Sequence, residues 1–244
     1  MDNVYGLLNI PKQCRLKNRI ALNLIYKVAE LTTKEQKELS QLVDKIYLIA
    51  EINSSNCNYL ALVDEELRYE TIQVIYVHLL KNDNIENIDI VLHRLFPNPI
   101  ILVYDYDNKY SYSSAMKRIN KIDNSKAVVS DIYNTSFDVQ PNFYENITNI
   151  FSNRNIKTIY ELYKNIDDSI YYQMLYQITK KFEYSLSIDE IKEKYKQIDE
   201  LERENRQLKT IYNSEKNKAK QMEIYMKIKK NDNLIERIID EIEV

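Results

Sequence analysis

The chain has very few residues that interrupt regular structure: one glycine and four prolines among 244 residues, and no tryptophan. The single glycine, Gly6, excludes the glycine-rich loops with which nucleotide-binding proteins hold phosphates. Turns are therefore expected at Asn, Asp and Ser, whose side chains stabilise turn geometry through local hydrogen bonds. The scarcity of helix breakers also favours long helices.

Cysteine and histidine are equally scarce, with two of each. Cys14 and Cys57 lack the spacing of a metal site, so we predict two separate, reduced thiols. Two histidines exclude a histidine-rich metal site, and the sequence predicts no metal or other cofactor. His78 is expected within a strand, and His93 near a helix C-terminus, where a charged imidazole is favourable.

The charge balance does not point to nucleic acid, because 34 basic and 37 acidic residues give a net charge of -3. No apolar run reaches the roughly 18 residues of a membrane span, and no apolar segment of a secretory signal follows the N-terminal basic residues. These features predict a cytoplasmic protein that does not enter a membrane.

The apolar run at residues 100–104 lies just after Pro97 and Pro99 and is too short for a globular helix. Such a run predicts a strand that is buried on both faces, at the centre of a sheet. Residues 70–80 alternate between two faces and predict a second strand. A helix between the two fits a crossover connection, so these strands are expected to be parallel neighbours.

The fold predicted from these patterns is α+β, with a mixed sheet of about five strands covered by helices in residues 1–183. Near the N-terminus, residues 18–31 predict a helix with four apolar side chains on its inner face: Ile20, Leu24, Val28 and Leu31. A second helix is expected after Thr33, with Gln36 completing a capping box.

The tail, residues 184–244, has the pattern of a coiled coil, with apolar residues at spacings of three and four between charged residues. We predict a partner-binding arm with an apolar stripe that contains Ile191, Ile198, Leu201, Leu208, Ile235 and Ile239. If the chain reverses within residues 213–220, Asn205 lies opposite Asp232. One continuous helix remains the alternative, and the arm could also mediate self-association.

Several segments together resemble the bacterial domain-of-unknown-function family 4391. They are DKIY at 44–47, ETIQV at 70–74, PIILV at 99–103, LERENRQL at 201–208 and EKNKAKQME at 215–223. The family has no established activity. Its members are found beside helicase and DNA methyltransferase genes in phage-defence regions, so the resemblance implies a protein partner of that kind.

Two sets of residues are candidates for chemistry. Glu70, Asp105 and Asp107 could hold Mg²⁺ in a nuclease, or the aspartates could simply solvate a turn. Nucleic acid could instead contact the lysines of the tail, which are Lys216, Lys218, Lys220, Lys227, Lys229 and Lys230. The same lysines could equally be solvated flanks of a coiled coil.

The function that we predict is a non-catalytic accessory subunit that docks on a helicase or methyltransferase of a DNA-directed phage-defence complex. The absence of a recognisable catalytic constellation favours this interpretation. The alternative is a metal-dependent nuclease or a nucleic-acid-binding protein of the same kind of system.

Overall fold

The computed structural model of the protein describes residues 2–83, 85–123, 125–181 and 184–243. The chain divides into two compact units, residues 1–180 and residues 181–244. The domain boundary predicted from the sequence follows residue 183, and residues 182 and 183 lie outside the described residues.

The first unit mixes short helices with strands. Its helices are α1 (Asp2–Leu7), α2 (Leu22–Val28), α3 (Thr33–Leu42), α4 (Glu86–Leu95), α5 (Pro141–Ser152) and α6 (Ile159–Thr179), with a 3₁₀ turn at Lys12–Cys14. Its strands are β1 (Arg15–Ile20), β2 (Val43–Asn53), β3 (Leu62–Val63), β4 (Arg68–Tyr69), β5 (Thr71–Leu79), β6 (Ile100–Tyr106), β7 (Lys109–Ser114), β8 (Lys117–Ile119), β9 (Ala127–Val129) and β10 (Tyr133–Asn134).

The main sheet has six strands in the order β1-β2-β5-β6-β7-β10. β5 and β6 are parallel and are connected through α4, as predicted, while the other neighbouring pairs are antiparallel. β3–β4 and β8–β9 form separate two-stranded sheets. The α+β prediction is confirmed. The sequence indicated about five strands, whereas the sheet has six. β10 has only two residues, too few to show the alternation of side chains that marks a strand in a sequence.

β6 lies inside the sheet and is covered on both faces. Ile101 and Val103 belong to an apolar cluster that includes residues of α5 and α6. Ile100, Leu102 and Tyr104 belong to a second cluster, with residues of α2, α3 and α4. All five are at most 3% exposed. The predicted central strand is therefore confirmed.

The predicted helix at residues 18–31 was wrong at its start and in its inner face. β1 extends to Ile20, which pairs with Ile46, and the helix begins only at Leu22. Its buried residue is Ile25, while Leu24 and Val28 are more than half exposed. The contacts of β1 in the sheet override the local helical pattern, and a different side of the helix faces the core.

Asn, Asp and Thr build turns and helix starts in place of glycine. Asp107 and Asn108 have φ values of 53° and 60° in the tight turn between β6 and β7, a region that Asp and Asn tolerate better than most residues. Thr32 and Glu35 form the capping box of α3, one residue earlier than the sequence indicated.

The second unit is a helical hairpin of α7 (Ile188–Ser214) and α8 (Lys218–Glu243), which we call the arm. The two helices pack against each other, so the hairpin prediction is confirmed and one continuous helix is excluded. α7 and α8 are long but strongly charged. Of the described helices, none combines the length and the apolar character that crossing a membrane requires.

Candidate interaction surface

The arm reverses direction at a turn that contains no glycine. The Asn217 side chain accepts hydrogen bonds from the backbone N–H groups of Ala219, at 2.9 Å, and Lys220, at 3.3 Å, and so caps α8. The Gln221 amide donates to the carbonyl oxygens of Tyr212 and Glu215. These side chains satisfy backbone groups at both helix ends, which stabilises the hairpin where no strong helix breaker is present.

A polar layer fixes how α7 and α8 align. Asn205 donates to Asp232 Oδ1 at 2.9 Å, and Asn231 donates to Asn205 Oδ1 at 3.1 Å. Nearer the turn, the ring centres of Tyr212 on α7 and Tyr225 on α8 lie 6.5 Å apart, which agrees with the same alignment of the two helices. Asn205 is only 4% exposed, so a shift in register would leave its amide buried without partners.

The apolar stripe predicted to bind a partner is mostly not accessible. Ile191 and Ile198 are buried, and Leu201, Leu208 and Ile235 are half-buried. Ile239 is 37% exposed. The stripe therefore offers little free surface to another chain.

A different set of apolar side chains is exposed near the turn of the arm. Ile211 is 50% exposed, Met222 and Met226 are each 58% exposed, and Tyr225 is 42% exposed. Ile211 and Met226 lie off the stripe, which is why the search for one apolar face missed them. Methionine side chains adapt their shape to many partners, so this is the part of the arm best suited to an interface.

Charge is segregated along the arm. Residues 207–230, which we call the tip, contain seven lysines and two glutamates; residues 184–206 and 231–243, the base, contain six basic and twelve acidic residues. In the base, Lys194 pairs with Glu241 and Arg206 with Glu202. Within the described residues, no tip lysine has a carboxylate within 4 Å.

All six lysines predicted to contact nucleic acid lie in the tip and are exposed. Those on α8 fall within its first 13 residues, a length of about 18 Å at 1.5 Å per residue. The structure therefore brings together positive charge and exposed apolar side chains at one end of the arm.

The structure separates the carboxylates that could have formed a nuclease site. β5 and β6 are parallel with His78 opposite Asp105, and Glu70 precedes His78 by eight residues. At about 3.3 Å per residue, Glu70 lies about 26 Å from that end of the sheet. Glu70 and Asp105 therefore cannot both bind one Mg²⁺, which needs ligands at about 2.1 Å.

The two aspartates differ in environment. Asp105 is buried, and it accepts hydrogen bonds from the Tyr76 hydroxyl and from the Asn108 backbone N–H. Asp107 is exposed in the turn. Among the described residues, no group of three or more His, Cys, Asp or Glu side chains could hold a metal. Asp105 therefore stabilises the turn that follows β6.

A buried polar cluster lies under α4. Asp89 accepts hydrogen bonds from the Tyr104 hydroxyl, at 2.6 Å, and from the Asn134 amide. Burial raises the pKa of Asp89 to about 6, although these hydrogen bonds act to lower it.

His93 is fully buried, with Nε2 3.0 Å from Ser113 Oγ. Burial, and secondarily the charge of Lys117, lowers the pKa of His93 to about 3, so the imidazole near the end of α4 is not the positive group that this helix end favours.

Lys117 supplies the positive group at the C-terminus of α4 instead. Its Nζ donates to the carbonyl oxygens of His93, Phe96 and Asn98 at 2.6–2.9 Å. Burial lowers the pKa of Lys117 to about 7, but only the ammonium form has three N–H donors, so the carbonyls favour the charge. Asp89, His93 and Lys117 are all at most 4% exposed, which makes the cluster a structural one.

The two cysteines are not separate, contrary to the sequence prediction. Cys14 Sγ lies 3.1 Å from Cys57 Sγ and 3.4 Å from Asn56 Oδ1. Cys14 is buried, and Cys57 is partly exposed beside a groove of about 540 Å³. Burial, followed by the contact with Cys57, raises the pKa of the Cys14 thiol to about 12.

The larger surface groove, of about 860 Å³, lies between α3 and α4. Leu39, Leu42 and Ile88 line it, and Glu35 and Arg94 are among the charged residues at its edge. Charged residues of both signs line it, and none of the candidate residues from the sequence lies in it. The groove does not indicate a particular ligand.

The comparisons with known proteins give one match. A family model described as a domain of unknown function (DUF4391) matches residues 8–234, which include the whole sheet and most of the arm. No curated protein and no solved structure matches the chain.

Proposed function

The chain belongs to the DUF4391 family, and from that membership and the form of the arm we propose that the protein is a non-catalytic interaction subunit. The arm is the docking element. The observation that carries the proposal is the exposure of Met222, Met226, Tyr225 and Ile211 on a hairpin whose register is fixed by buried polar groups. Fully burying a side chain of this size contributes about 1.5–3 kcal/mol, so a few of them support a specific contact.

The partner class in this proposal is a helicase or a DNA methyltransferase of a DNA-directed phage-defence complex. Its support is the resemblance of the sequence to a family found beside such genes. The positive tip adds a physical constraint, because it favours a partner surface with acidic residues around an apolar centre.

The test is capture of the partner from the native host by the full-length tagged protein. The test variant replaces Met222 and Met226 with serine, and the matched control is Ile122→Ser, since Ile122 is 98% exposed in the first unit. The wild type and the control are expected to enrich a helicase or a DNA methyltransferase. The double variant should recover at least about tenfold less, because 1.4 kcal/mol corresponds to tenfold in affinity.

If neither class of enzyme is enriched by the wild type, the proposed partner is wrong. If the double variant captures the same enzyme as efficiently as the wild type, the tip is not the docking surface. Thermal melting of all three proteins shows whether the substitutions leave the fold unchanged.

A second candidate function of the same tip is direct contact with nucleic acid, which the seven lysines and the exposed ring of Tyr225 favour. Binding to a fluorescently labelled DNA duplex should then weaken steeply as salt is added. The logarithm of the binding constant should fall with the logarithm of the salt concentration, with a slope of about -0.9 for each neutralised phosphate. No binding at low salt would remove this candidate.

A further inference from the structure

Cys14 and Cys57 are held in contact by backbone segments that are themselves fixed by hydrogen bonds. Cys14 ends the 3₁₀ turn before β1, and its N–H donates to the Pro11 carbonyl oxygen at 3.0 Å. Cys57 lies in the turn after β2, and its N–H donates to the Asn53 carbonyl oxygen at 2.9 Å. The contact between the two sulfur atoms, which are 3.1 Å apart, is therefore built into the first unit.

The Asn56 side chain fixes the turn that carries Cys57. Its Oδ1 accepts hydrogen bonds from the Asn53 N–H at 3.0 Å and from the Cys14 thiol at 3.4 Å. Its amide donates to the Glu51 carbonyl oxygen at 2.8 Å. The sulfur atoms of a disulfide lie about 2.05 Å apart, so the two thiols need to approach by only about 1 Å.

The two thiols differ in their access to solvent. Cys14 is 1% exposed, whereas Cys57 is partly exposed and lines the groove of about 540 Å³. Burial raises the pKa of the Cys14 thiol to about 12, so only about one Cys14 side chain in 10⁵ is a thiolate at pH 7. Because the thiolate is the nucleophile, a small oxidant should react with Cys57 first.

The groove beside Cys57 is positively charged. Among the described residues that line it, the charged ones are Arg154 and Lys157, and both are exposed. Lys157 Nζ donates to the Arg154 carbonyl oxygen at 2.6 Å, which places the ammonium group beside that residue. The Glu161 carboxylate accepts a hydrogen bond from the Lys157 N–H, but Glu161 does not line the groove. The groove therefore favours an anionic molecule over a cationic one.

We propose that Cys14 and Cys57 are an oxidation site, at which an anionic low-molecular-weight disulfide enters the groove and converts the two thiols into an intramolecular disulfide. Arg154 and Lys157 attract the carboxylates of this oxidant, and Cys57 is the thiol that it meets. The inference does not depend on the proposed function, because the site lies in the first unit and includes no residue of the arm.

The reaction proceeds by two thiol–disulfide exchanges. Cys57 loses a proton to water, and its thiolate attacks one sulfur of the oxidant. The S–S bond of the oxidant breaks, a mixed disulfide forms on Cys57, and the released small thiolate takes up a proton. Cys14 then loses its proton and attacks the Cys57 sulfur, so that the second small thiolate leaves and is protonated. The protein loses two hydrogen atoms, and the oxidant is reduced to two thiols.

The second exchange is fast enough although the Cys14 thiolate is rare. Well-oriented groups of one molecule react as if one of them were present at about 10⁵–10⁸ M. This advantage offsets a thiolate fraction of about 10⁻⁵ at pH 7. A second molecule of oxidant has no comparable access to Cys14, which is buried. The adduct on Cys57 should therefore be replaced by the intramolecular disulfide.

The first experiment treats the full-length protein with oxidised glutathione and follows intact mass and free thiols. The wild type should lose the mass of two hydrogen atoms, have no free thiol and recover both thiols with dithiothreitol. Peptide mapping of the wild type should show Cys14 linked to Cys57, which tests the disulfide without any substitution. Cys14→Ser should stop at one glutathione adduct, and Cys57→Ser should react at least about tenfold more slowly than Cys14→Ser.

Three results of this experiment would overturn the inference. The wild type could keep both thiols, or its final product could retain glutathione. Cys57→Ser could also react as fast as Cys14→Ser, with both variants folded by thermal melting, which would remove Cys57 as the thiol that meets the oxidant.

The second experiment tests the charge of the groove. The rate of thiol loss is measured with oxidised glutathione, which is anionic, and with cystamine, which is a cationic disulfide. The ratio of the glutathione rate to the cystamine rate should fall at least about tenfold when Arg154→Glu and Lys157→Glu are combined, and the fall should shrink at high salt.

The matched control for this charge reversal combines Lys34→Glu and Lys37→Glu. Both lysines are exposed on α3, which packs against the other apolar cluster of the sheet from the one that contains Cys14. The control should have the wild-type ratio of rates. A groove variant that also keeps the wild-type ratio, while it melts as the wild type does, would contradict the role of the groove in selecting an anionic oxidant.

Discussion

The side-chain amide of Asn205 donates a hydrogen bond to Asp232 Oδ1 across the arm, with 2.9 Å between the two atoms. The two residues lie 27 positions apart, on different helices. Asn231 adds a second hydrogen bond to Asn205 and a third to Glu204. An arm that presents a surface in one geometry needs a fixed register, and a buried polar layer supplies it at a cost in stability.

Replacement of Asn205 and Asp232 together by leucine should raise the thermal midpoint of the arm. It should also allow α7 and α8 to pack in more than one alignment. The apolar pair packs well in several alignments, whereas the amide and the carboxylate pair in one. Spin labels at positions 209 and 227 measure this, through a narrow distance distribution in the wild type and a wider one in the variant. A lower midpoint, or an unchanged distribution, would contradict the role of the polar layer.

Val103→Asp should prevent soluble folding. Val103 is fully buried in the central strand β6, and an unpaired buried carboxylate costs several kcal/mol, comparable with a total stability of about 5–15 kcal/mol. Ile122→Asp is the matched control, because Ile122 is 98% exposed. Soluble expression of both variants with the wild-type thermal midpoint would contradict the central position of β6.

Asp105→Ala and Asp107→Asn should have different effects on stability. Asp105 accepts hydrogen bonds from Tyr76 and Asn108, and its loss should cost about 1–3 kcal/mol of unfolding free energy. Asp107 is exposed in a turn with positive φ that asparagine also tolerates, so Asp107→Asn should be nearly neutral. Urea denaturation measures both free energies.

Asp107→Asn should also leave phage defence intact in a plating assay. Complete loss of defence by this variant, with its stability and partner binding preserved, would contradict a non-catalytic role. It would favour the nuclease alternative, even though Glu70 lies far from Asp105.

Asp89 and His93 should affect the pH dependence of stability in opposite directions. The pKa of His93 is lowered from 6.5 to about 3, so its contribution is present above about pH 6.5 and is lost as the pH falls toward 3. The pKa of Asp89 is raised from 3.8 to about 6, so its contribution is present below about pH 3.8 and is lost as the pH rises through 6. Between pH 4 and 6 the two oppose each other.

Asp89→Asn and His93→Gln separate the two contributions. From pH 4 to 6, the unfolding free energy of the wild type relative to Asp89→Asn should fall, and relative to His93→Gln it should rise. Each slope is at most about 1.4 kcal/mol per pH unit for one proton. Urea denaturation at several pH values measures the differences, and differences that do not change with pH would contradict the buried environments of both groups.

The sequence predicts those parts of the fold in which the spacing of apolar residues along one segment matches the pattern of buried side chains. Ile72, Val74 and Tyr76 on one face of β5, and Ile75 and Val77 on the other, alternate because both faces are covered. The alignment of the arm could be predicted for a similar reason, because the polar residues that interrupt each stripe fall opposite each other when the chain turns back.

The remaining features depend on contacts between segments that are distant in sequence. The side chains of Cys14 and Cys57 meet only because β2 ends in a turn next to the start of β1. Asp89 and Asn134 come from a helix and a distant strand, and no local pattern predicts their contact.

Deletion of residues 187–244 tests most directly the central claim that the arm is a separable docking element. The truncated protein is compared with the full chain by thermal melting, light scattering and co-purification from the native host. We predict that the truncated protein melts cooperatively as a monomer and no longer co-purifies with the helicase or methyltransferase that the full chain captures. A truncated protein that still captures this partner would contradict the claim, and so would one that fails to fold.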